Sequence, residues 1–410
     1  MAARTNTGFS EGRNLSLLCY TLGVIDCNAA LSCSGNYAPI GLDFVLCLII
    51  CSVSIWQIAR IGSNHLTSAL ISISENLGLP KDFSGATLLA SVTSIPVLFS
   101  SVISTFVFIS SDTIPIVAGT CIYNLMVCVA ISAIWVGPNL SAISLLPFLR
   151  DVSYYIVSVV LFLVFLRDDQ IVLYECIVLT MLYLGYCLLT WFWRTKTDKV
   201  DEETGKIHRN ESCATVCTSS SETWTNIETQ SEKKRCTDPI SWALDKLIPG
   251  SDRFWLVALV CTLHLFFLVY LMLDSVNRLA TLLQIDSSAV TLIILPIGMN
   301  LPSTVGGVIA AKIEKSSDIA ISSSFGSNIF SVLVGTGLPW LLRLSVGKPV
   351  VLGGVSTSLG FFSVLLSIHI TSFCMIIIAC SFKLSRICGW LLAAGYAIYM
   401  VTVLCLDLLR

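Results

Sequence analysis

The sequence predicts an all-α polytopic membrane protein of about ten transmembrane helices, built as two inverted five-helix repeats. Three observations carry this. The 410 residues are 55% hydrophobic and only 12% charged, with a mean hydropathy of +0.84. Runs of roughly 20 apolar residues, the length that spans a bilayer core, recur along the chain. One polar stretch, 194–253, separates these runs into five and five. A net charge of −2 is too small to point to nucleic acid or to an acidic partner.

In chain order, 1–40 is an N-terminal extracytoplasmic segment. Arg4 and Arg13 ahead of "LSLLCYTLGVI" leave a cleavable signal and an uncleaved lead-in both open. Cys19, Cys27 and Cys33 can form disulfides there if that end faces an oxidising compartment. The first transmembrane repeat, 41–193, holds candidate spans at 42–60, with an extension over 64–77 left open, then 84–109, 114–136, 148–166 and 171–193. The loop 194–253 concentrates basic residues, among them Arg194, Lys196, Lys199, Lys233, Lys234 and Arg235, so the positive-inside rule places it in the cytosol. Its "TSSSETWTNIETQ" run reads as a solvated linker. The second transmembrane repeat, 254–410, holds candidate spans at 254–283, 288–311, 318–343, 354–381 and 387–408.

An odd number of spans per half makes the second half enter the membrane opposite to the first, as an inverted-repeat transporter requires. Asn14 of "NLS" then falls outside and is a glycosylation acceptor, whereas Asn210 of "NES" falls inside. Most of the 17 Cys are scattered singly through apolar runs and serve as small hydrophobes. Cys213, Cys217 and Cys236 lack the paired short spacing of a zinc site, so no resident metal is expected. His65, His208, His264 and His369 are isolated, which argues against an enzyme.

Both halves carry the same order of polar patches. "GATLLASVTSIPVLFSSVIS" and "AVTLIILPIGMNLPSTVGGVIA" each set a small polar patch and a proline, Pro96 or Pro302, between two apolar stretches. The next span of each half carries a second patch, "AGTCIYN" at 118–124 and "FGSNIFS" at 325–331. A proline removes a backbone donor and frees carbonyls near the break. In lipid those carbonyls need partners, and an ion is one of them. Thr93, Ser94, Thr120, Asn124, Asn300, Ser303, Asn328 and Ser331 supply hard, neutral oxygens suited to sodium. The plain alternative for each is an interhelical hydrogen bond.

"SSDIAISSSFGSNIFSVLVGTGLPWLL" at 316–342 is very similar to the second signature repeat of the potassium-dependent sodium/calcium exchangers. "LGLPKDFSGATLLA" at 77–90 and "RDVSYYIVS" at 150–158 resemble the first half of that family. The mitochondrial-type sodium/calcium exchangers share the "PFLRDV" neighbourhood at 147–152. The resemblance runs from about 60 to 410 apart from the loop. It implies ten spans in two inverted halves, with the ion site between the second and third spans of each. It also implies antiport in which sodium entry drives calcium out, with potassium co-transported in the potassium-dependent branch.

The chain departs from that family where charge matters. The family has a carboxylate after each repeat proline, where this chain has Val97 and Ser303, and the aspartate closing "GSNIF" is Ser331 here. Val92 replaces a glycine ahead of the first patch, and Met299-Asn300 replaces two small hydroxyl-type residues. The chain thus resembles a divergent member of that family, one lacking the usual ion-binding carboxylates. Calcium prefers six to eight oxygens, usually including several carboxylates. Asp274 lies inside a span, where an acid is a functional candidate, and its plain alternative is a place near the outer end, solvated or paired with Arg278 one turn on; Asp112, Asp151, Asp168, Asp169 and Glu175 read as span-end residues. The function the resemblance implies is that of a secondary active cation antiporter, sodium-driven calcium exchange with or without potassium co-transport, in calcium homeostasis. The alternatives are a transporter of altered selectivity, for monovalent cations or a neutral solute, and a transport-inactive regulatory homologue. The expected partners are the lipid bilayer and small cations; no cofactor is expected, and the oligomeric state stays open, as does the choice between the plasma membrane and an intracellular one.

Overall fold

The structure, a computed structural model, describes residues 40–66, 69, 89–137, 140, 142–203, 254–283, 285, 287–314, 317–350, 352 and 355–408. The readings placed on Asn14, Cys19, Cys27, Cys33, Asn210, Cys213, Cys217 and Cys236, on most of the loop and on 70–88 lie outside these residues.

The elements follow the same order in each half. The first half runs α1 (Ile40–Arg60), which continues as a π-helical turn over Ile61–Leu66, then α2 (Leu89–Thr93) and α3 (Ile95–Ile103) with a π turn at Ser104–Phe108. It goes on through α4 (Thr113–Tyr123), a π turn at Asn124–Cys128, α5 (Val129–Val136), α6 (Leu145–Phe165) and α7 (Leu173–Glu203). The second half runs α8 (Phe254–Leu283), α9 (Ser287–Met299), α10 (Leu301–Glu314), α11 (Ser317–Ser345), α12 (Val355–Ala379) and α13 (Arg386–Leu408). Among the described residues eight helical segments are long and apolar enough to cross a bilayer, and α9 with α10, bent by 41°, makes a ninth when taken as one span. The broken pair α2–α3 completes the ten crossings that the apolar runs predict. The polar stretch begins as helix, because α7 continues through Glu203.

Burial sorts the helices into a centre and a sheath. The apolar window of α4–α5 is 89% buried and that of α11 is 83% buried, against 28% for α1, α7 and α13. Lipid tails are as apolar as leucine, so helices associate in a bilayer through close packing rather than through water exclusion. The central helices carry the small residues that allow this. A Cβ at Gly119 would fall on the Leu292 carbonyl oxygen and lie 2.6 Å from the Pro296 ring, so only glycine lets α4 reach α9. The Leu292 carbonyl is free because Pro296 has no N–H to give it, and Tyr399 on α13 donates its hydroxyl there at 3.1 Å. In the other half Phe325, fully buried on α11, packs edge-on against Phe148, Tyr155 and Phe373.

The acids partly depart from their expected places. Asp274 is bound by Arg278 at 2.8 Å, and Glu175 accepts the Val172 N–H at 3.0 Å at the start of its own helix, both as expected. Asp112, Asp168 and Asp169 lie at turns between helices. Asp151 is not a boundary residue: it lies within α6 with 1% of its surface exposed and takes Arg150 Nε at 2.8 Å and the Ser322 hydroxyl of α11 at 2.7 Å. The adjacent arginine and a facing serine make its burial tolerable, and neither pairing follows from position along the span.

Replacing Gly119 by Ala is expected to lower the thermal unfolding midpoint of the detergent-solubilised chain by the equivalent of ~1–3 kcal/mol of overpacking. Gly326→Ala, whose Cβ would meet Ala90 Cβ at 3.3 Å, should cost far less. A scanning melt of both variants checks this, and equal losses would count against the close approach at α4.

Candidate functional site

The first break is at Ser94. Pro96 has no N–H, so the Val92 carbonyl loses its helical donor, and the chain turns at Ser94 (φ −95°, ψ 0°) before α3 begins. The Ser94 carbonyl then accepts the N–H groups of Val97 at 3.1 Å and Leu98 at 3.2 Å. The second break is at Asn300, where Pro302 starts α10 and the Asn300 carbonyl accepts both the Thr304 N–H at 2.9 Å and its hydroxyl at 3.0 Å. The two breaks face each other. Ser303 donates its hydroxyl to the Thr93 carbonyl oxygen at 3.3 Å, across a sequence distance of more than two hundred residues. Pro96 and Pro302 are both buried in the bundle.

The second patches fill the space between the breaks. Ser94 Oγ lies 2.6 Å from Ser327 Oγ and 2.8 Å from the Ala90 carbonyl oxygen. A hydroxyl has one proton, so if Ser94 gives its proton to Ala90, Ser327 donates to Ser94. Ser327 in turn accepts one Asn124 Nδ2–H at 3.0 Å, and the other goes to Asn328 Oδ1 at 2.9 Å. Asn328 Nδ2 donates to the Cys121 carbonyl oxygen at 3.0 Å. On the opposite side Asn300 Nδ2 reaches Pro296 O at 2.8 Å and Thr120 Oγ1 at 3.3 Å. Asn300 is fully buried, and its Oδ1 has no hydrogen-bond partner. A buried amide oxygen left this way is an acceptor waiting for a donor or a cation.

Six of the eight residues singled out from the sequence thus meet through their side chains: Ser94, Thr120, Asn124, Asn300, Ser303 and Asn328. Thr93 contributes its backbone oxygen, while its hydroxyl bonds to Ala90 O at 3.2 Å within its own turn. Ser331 stays outside the network, its hydroxyl donating to Ser327 O at 2.8 Å along its own helix. Sequence reasoning missed Ser327, which holds the centre. The signal was available, because aligning Gly119 with Gly326 sets Ser327 opposite Thr120. It also missed Cys128 and Thr304, 3.0 Å apart, which tie α10 to the π turn after α4.

No Asp or Glu enters this network, and among the described residues no group of three His, Cys, Asp or Glu is placed to hold a metal. Val97, where the resemblance implies an acid, is fully buried among apolar residues. The donors are therefore hydroxyl and amide oxygens with two frayed carbonyls, a hard and uncharged set.

Ser327→Ala removes the link between Asn124 and Ser94 and leaves buried polar groups unpaired, an expected loss of ~1–3 kcal/mol. Ser331→Ala deletes only a bond within one helix and should shift the thermal midpoint little. Melts of the two variants side by side discriminate, and a larger loss at Ser331 would contradict the placement of the network.

Comparison with known proteins agrees with this architecture. The chain matches the family described as "Sodium/calcium exchanger protein" over residues 44–192 and 253–405, most of its length. It is 31% identical over 134 residues to human sodium/potassium/calcium exchanger 4, a match covering 33% of this chain and 21% of that one. It is 30% identical over 141 residues to the Drosophila melanogaster exchanger Nckx30C, covering 34% and 16%. These matches span about a fifth of the length of the curated relatives. Among solved structures, the sodium-calcium exchanger NCX_Mj soaked with sodium and calcium superposes with a TM-score of 0.51 at 16% identity, covering 87% of this chain and 98% of that one. At that identity the likeness concerns the fold alone. With the two broken spans, the central helix pair and the family match together, the chain belongs to the sodium/calcium exchanger family of multi-pass integral membrane proteins.

Proposed function

We propose that the chain is a secondary cation antiporter whose central site favours a monovalent cation, sodium above all, over calcium. The observation that carries this is the meeting of both helix breaks and both second patches around neutral oxygens, with the Asn300 Oδ1 buried and unpartnered. Sodium is satisfied by a handful of such oxygens. A divalent ion leaving water needs opposite charge close by, and hydroxyls and amides do not compensate for its dehydration. The two halves, each with a broken span against a central helix, are the mechanical elements of alternating access: one half rocks against the other around the fixed site. The cations are cargo, and no resident cofactor is invoked.

Family membership favours a second reading. The relatives are named as sodium/potassium/calcium exchangers, which supports sodium-driven calcium exchange with potassium co-transport. On that reading backbone carbonyls at the breaks carry more of the calcium than the side chains do. A chain that moves neither ion would act as a regulatory homologue.

Tracer flux into proteoliposomes, with sodium and potassium gradients set separately, distinguishes these. Sodium-for-sodium exchange is expected, with little sodium-driven calcium uptake; robust calcium uptake would decide for the second reading, and no flux of either ion for the third. Asn300→Ala should weaken apparent sodium affinity about tenfold or more, as the ~1.5–3 kcal/mol of a contact to a charged group implies. Val97→Glu with Ser303→Asp restores two acids beside the breaks and should introduce calcium flux. A well-folded double variant without it would place those side chains away from the ion path.

A further inference from the structure

At one end of the bundle the turn 109–112 meets residues 346–350 and 352, and with ten crossings this end lies opposite the 194–253 stretch. A small, partly open chamber of about 10 Å³, room for a single occupant of about water size, sits there, lined by Thr105, Ser110, Ser111, Thr113, Trp340 and Val350 among others. Beside it Arg343, in the last turn of α11, is 6% exposed. Its Nε donates to the Pro349 carbonyl oxygen at 2.7 Å and one terminal nitrogen donates to the Thr105 carbonyl oxygen. Both acceptors are neutral, and among the described residues Arg343 makes no ion pair.

The chamber also holds unused hydroxyls. Thr105 is 4% exposed and Thr113 is 2% exposed, and neither side-chain oxygen has a hydrogen-bond partner. Ser101 and Ser104, on the same broken span, are buried and equally unpartnered. A guanidinium held in a low-dielectric interior by two carbonyl dipoles keeps its full charge, and an uncompensated buried charge is strongly unfavourable. Hydroxyls with protons to give, next to a fixed positive charge, are the donor set of a small anion. The acid nearest the chamber, Asp112, is at its rim and takes the Ser110 hydroxyl at 2.7 Å, which turns that proton away from the chamber.

We propose that this chamber binds a small inorganic anion of the chloride class, held by the Thr105 and Thr113 hydroxyls in the field of Arg343. The anion neutralises Arg343, which among the described residues is buried without an acidic partner, and joins the end of the first broken span to the end of α11. Occupancy therefore stabilises one closed arrangement of this mouth, independently of which cation the central site takes.

The test is the thermal midpoint of the purified full chain in detergent, titrated with N-methylglucamine chloride against the gluconate salt at equal ionic strength. A saturable rise with chloride and none with gluconate is expected. Arg343→Gln should abolish the rise, Arg343→Lys should keep it, and Asp112→Asn should lower the half-saturating chloride concentration several-fold. Because Arg343→Gln removes two structural hydrogen bonds, the paired variant Thr105→Val with Thr113→Val provides a second measure and should raise that concentration several-fold. Equal responses to chloride and gluconate would reduce the chamber to a water-filled one and overturn the proposal, as would an unchanged chloride response in the threonine variant.

Discussion

A helix that breaks inside a bilayer exposes carbonyls that water cannot reach, and the fold is organised around meeting that demand. The two breaks, at Ser94 and Asn300, turn toward one another, and the Ser303 hydroxyl of the second serves the Thr93 carbonyl of the first. The same rule governs Pro296 inside α9, whose orphaned Leu292 carbonyl is taken by Tyr399 from the sheath. Once these groups are satisfied, the amide oxygen of Asn300 remains, at the middle of the structure and without a partner. An unmet acceptor in that position is what the proposed cation would satisfy.

The repeated architecture is not filled equally in its two halves. Both broken spans fall into two helices, α2 with α3 and α9 with α10, but the first goes on into a π turn at Ser104–Phe108, whereas α10 continues as α-helix to Glu314. The first central helix contains a π turn at Asn124–Cys128, the second runs unbroken as α11. Gly119 is pressed against the backbone of α9, while Gly326 is close to a side chain only, where an added Cβ would fall 3.3 Å from Ala90 Cβ. π turns and frayed ends leave backbone groups available and are common at functional sites. The first half is therefore the more deformable one, and the second the more rigid support.

Charge is kept away from the centre. Asp151 is neutralised by Arg150 between α6 and α11, and Asp274 by Arg278 on α8. Arg343 lies at the far end of α11. Between these positions the crossing point holds hydroxyls, amides and one thiol. Ion selectivity in a low-dielectric site depends on how much formal charge balances the dehydrated ion. The neutrality of this one separates it from what the family resemblance implies, though the backbone around it follows the family fold.

The sequence by itself determined the solvent, the number of crossings and the position of both breaks, because these depend on apolar run length and on proline chemistry, which are local. It also named most of the central network, since small polar residues in a bilayer-length apolar run have few places to go except inward. Tertiary structure alone decided which of them meet. Ser331 and Ser327 lie one turn apart on the same helix, yet one bonds back to its own backbone and the other links three helices, a difference set by helix rotation and by the closeness that Gly119 and Gly326 allow. The same holds for Asp151: its distance along the span suggested a boundary, and only the approach of Ser322 across the bundle makes it a buried contact. Facing partners from distant segments leave no trace in local pattern, because the proximity arises from packing and not from spacing along the chain.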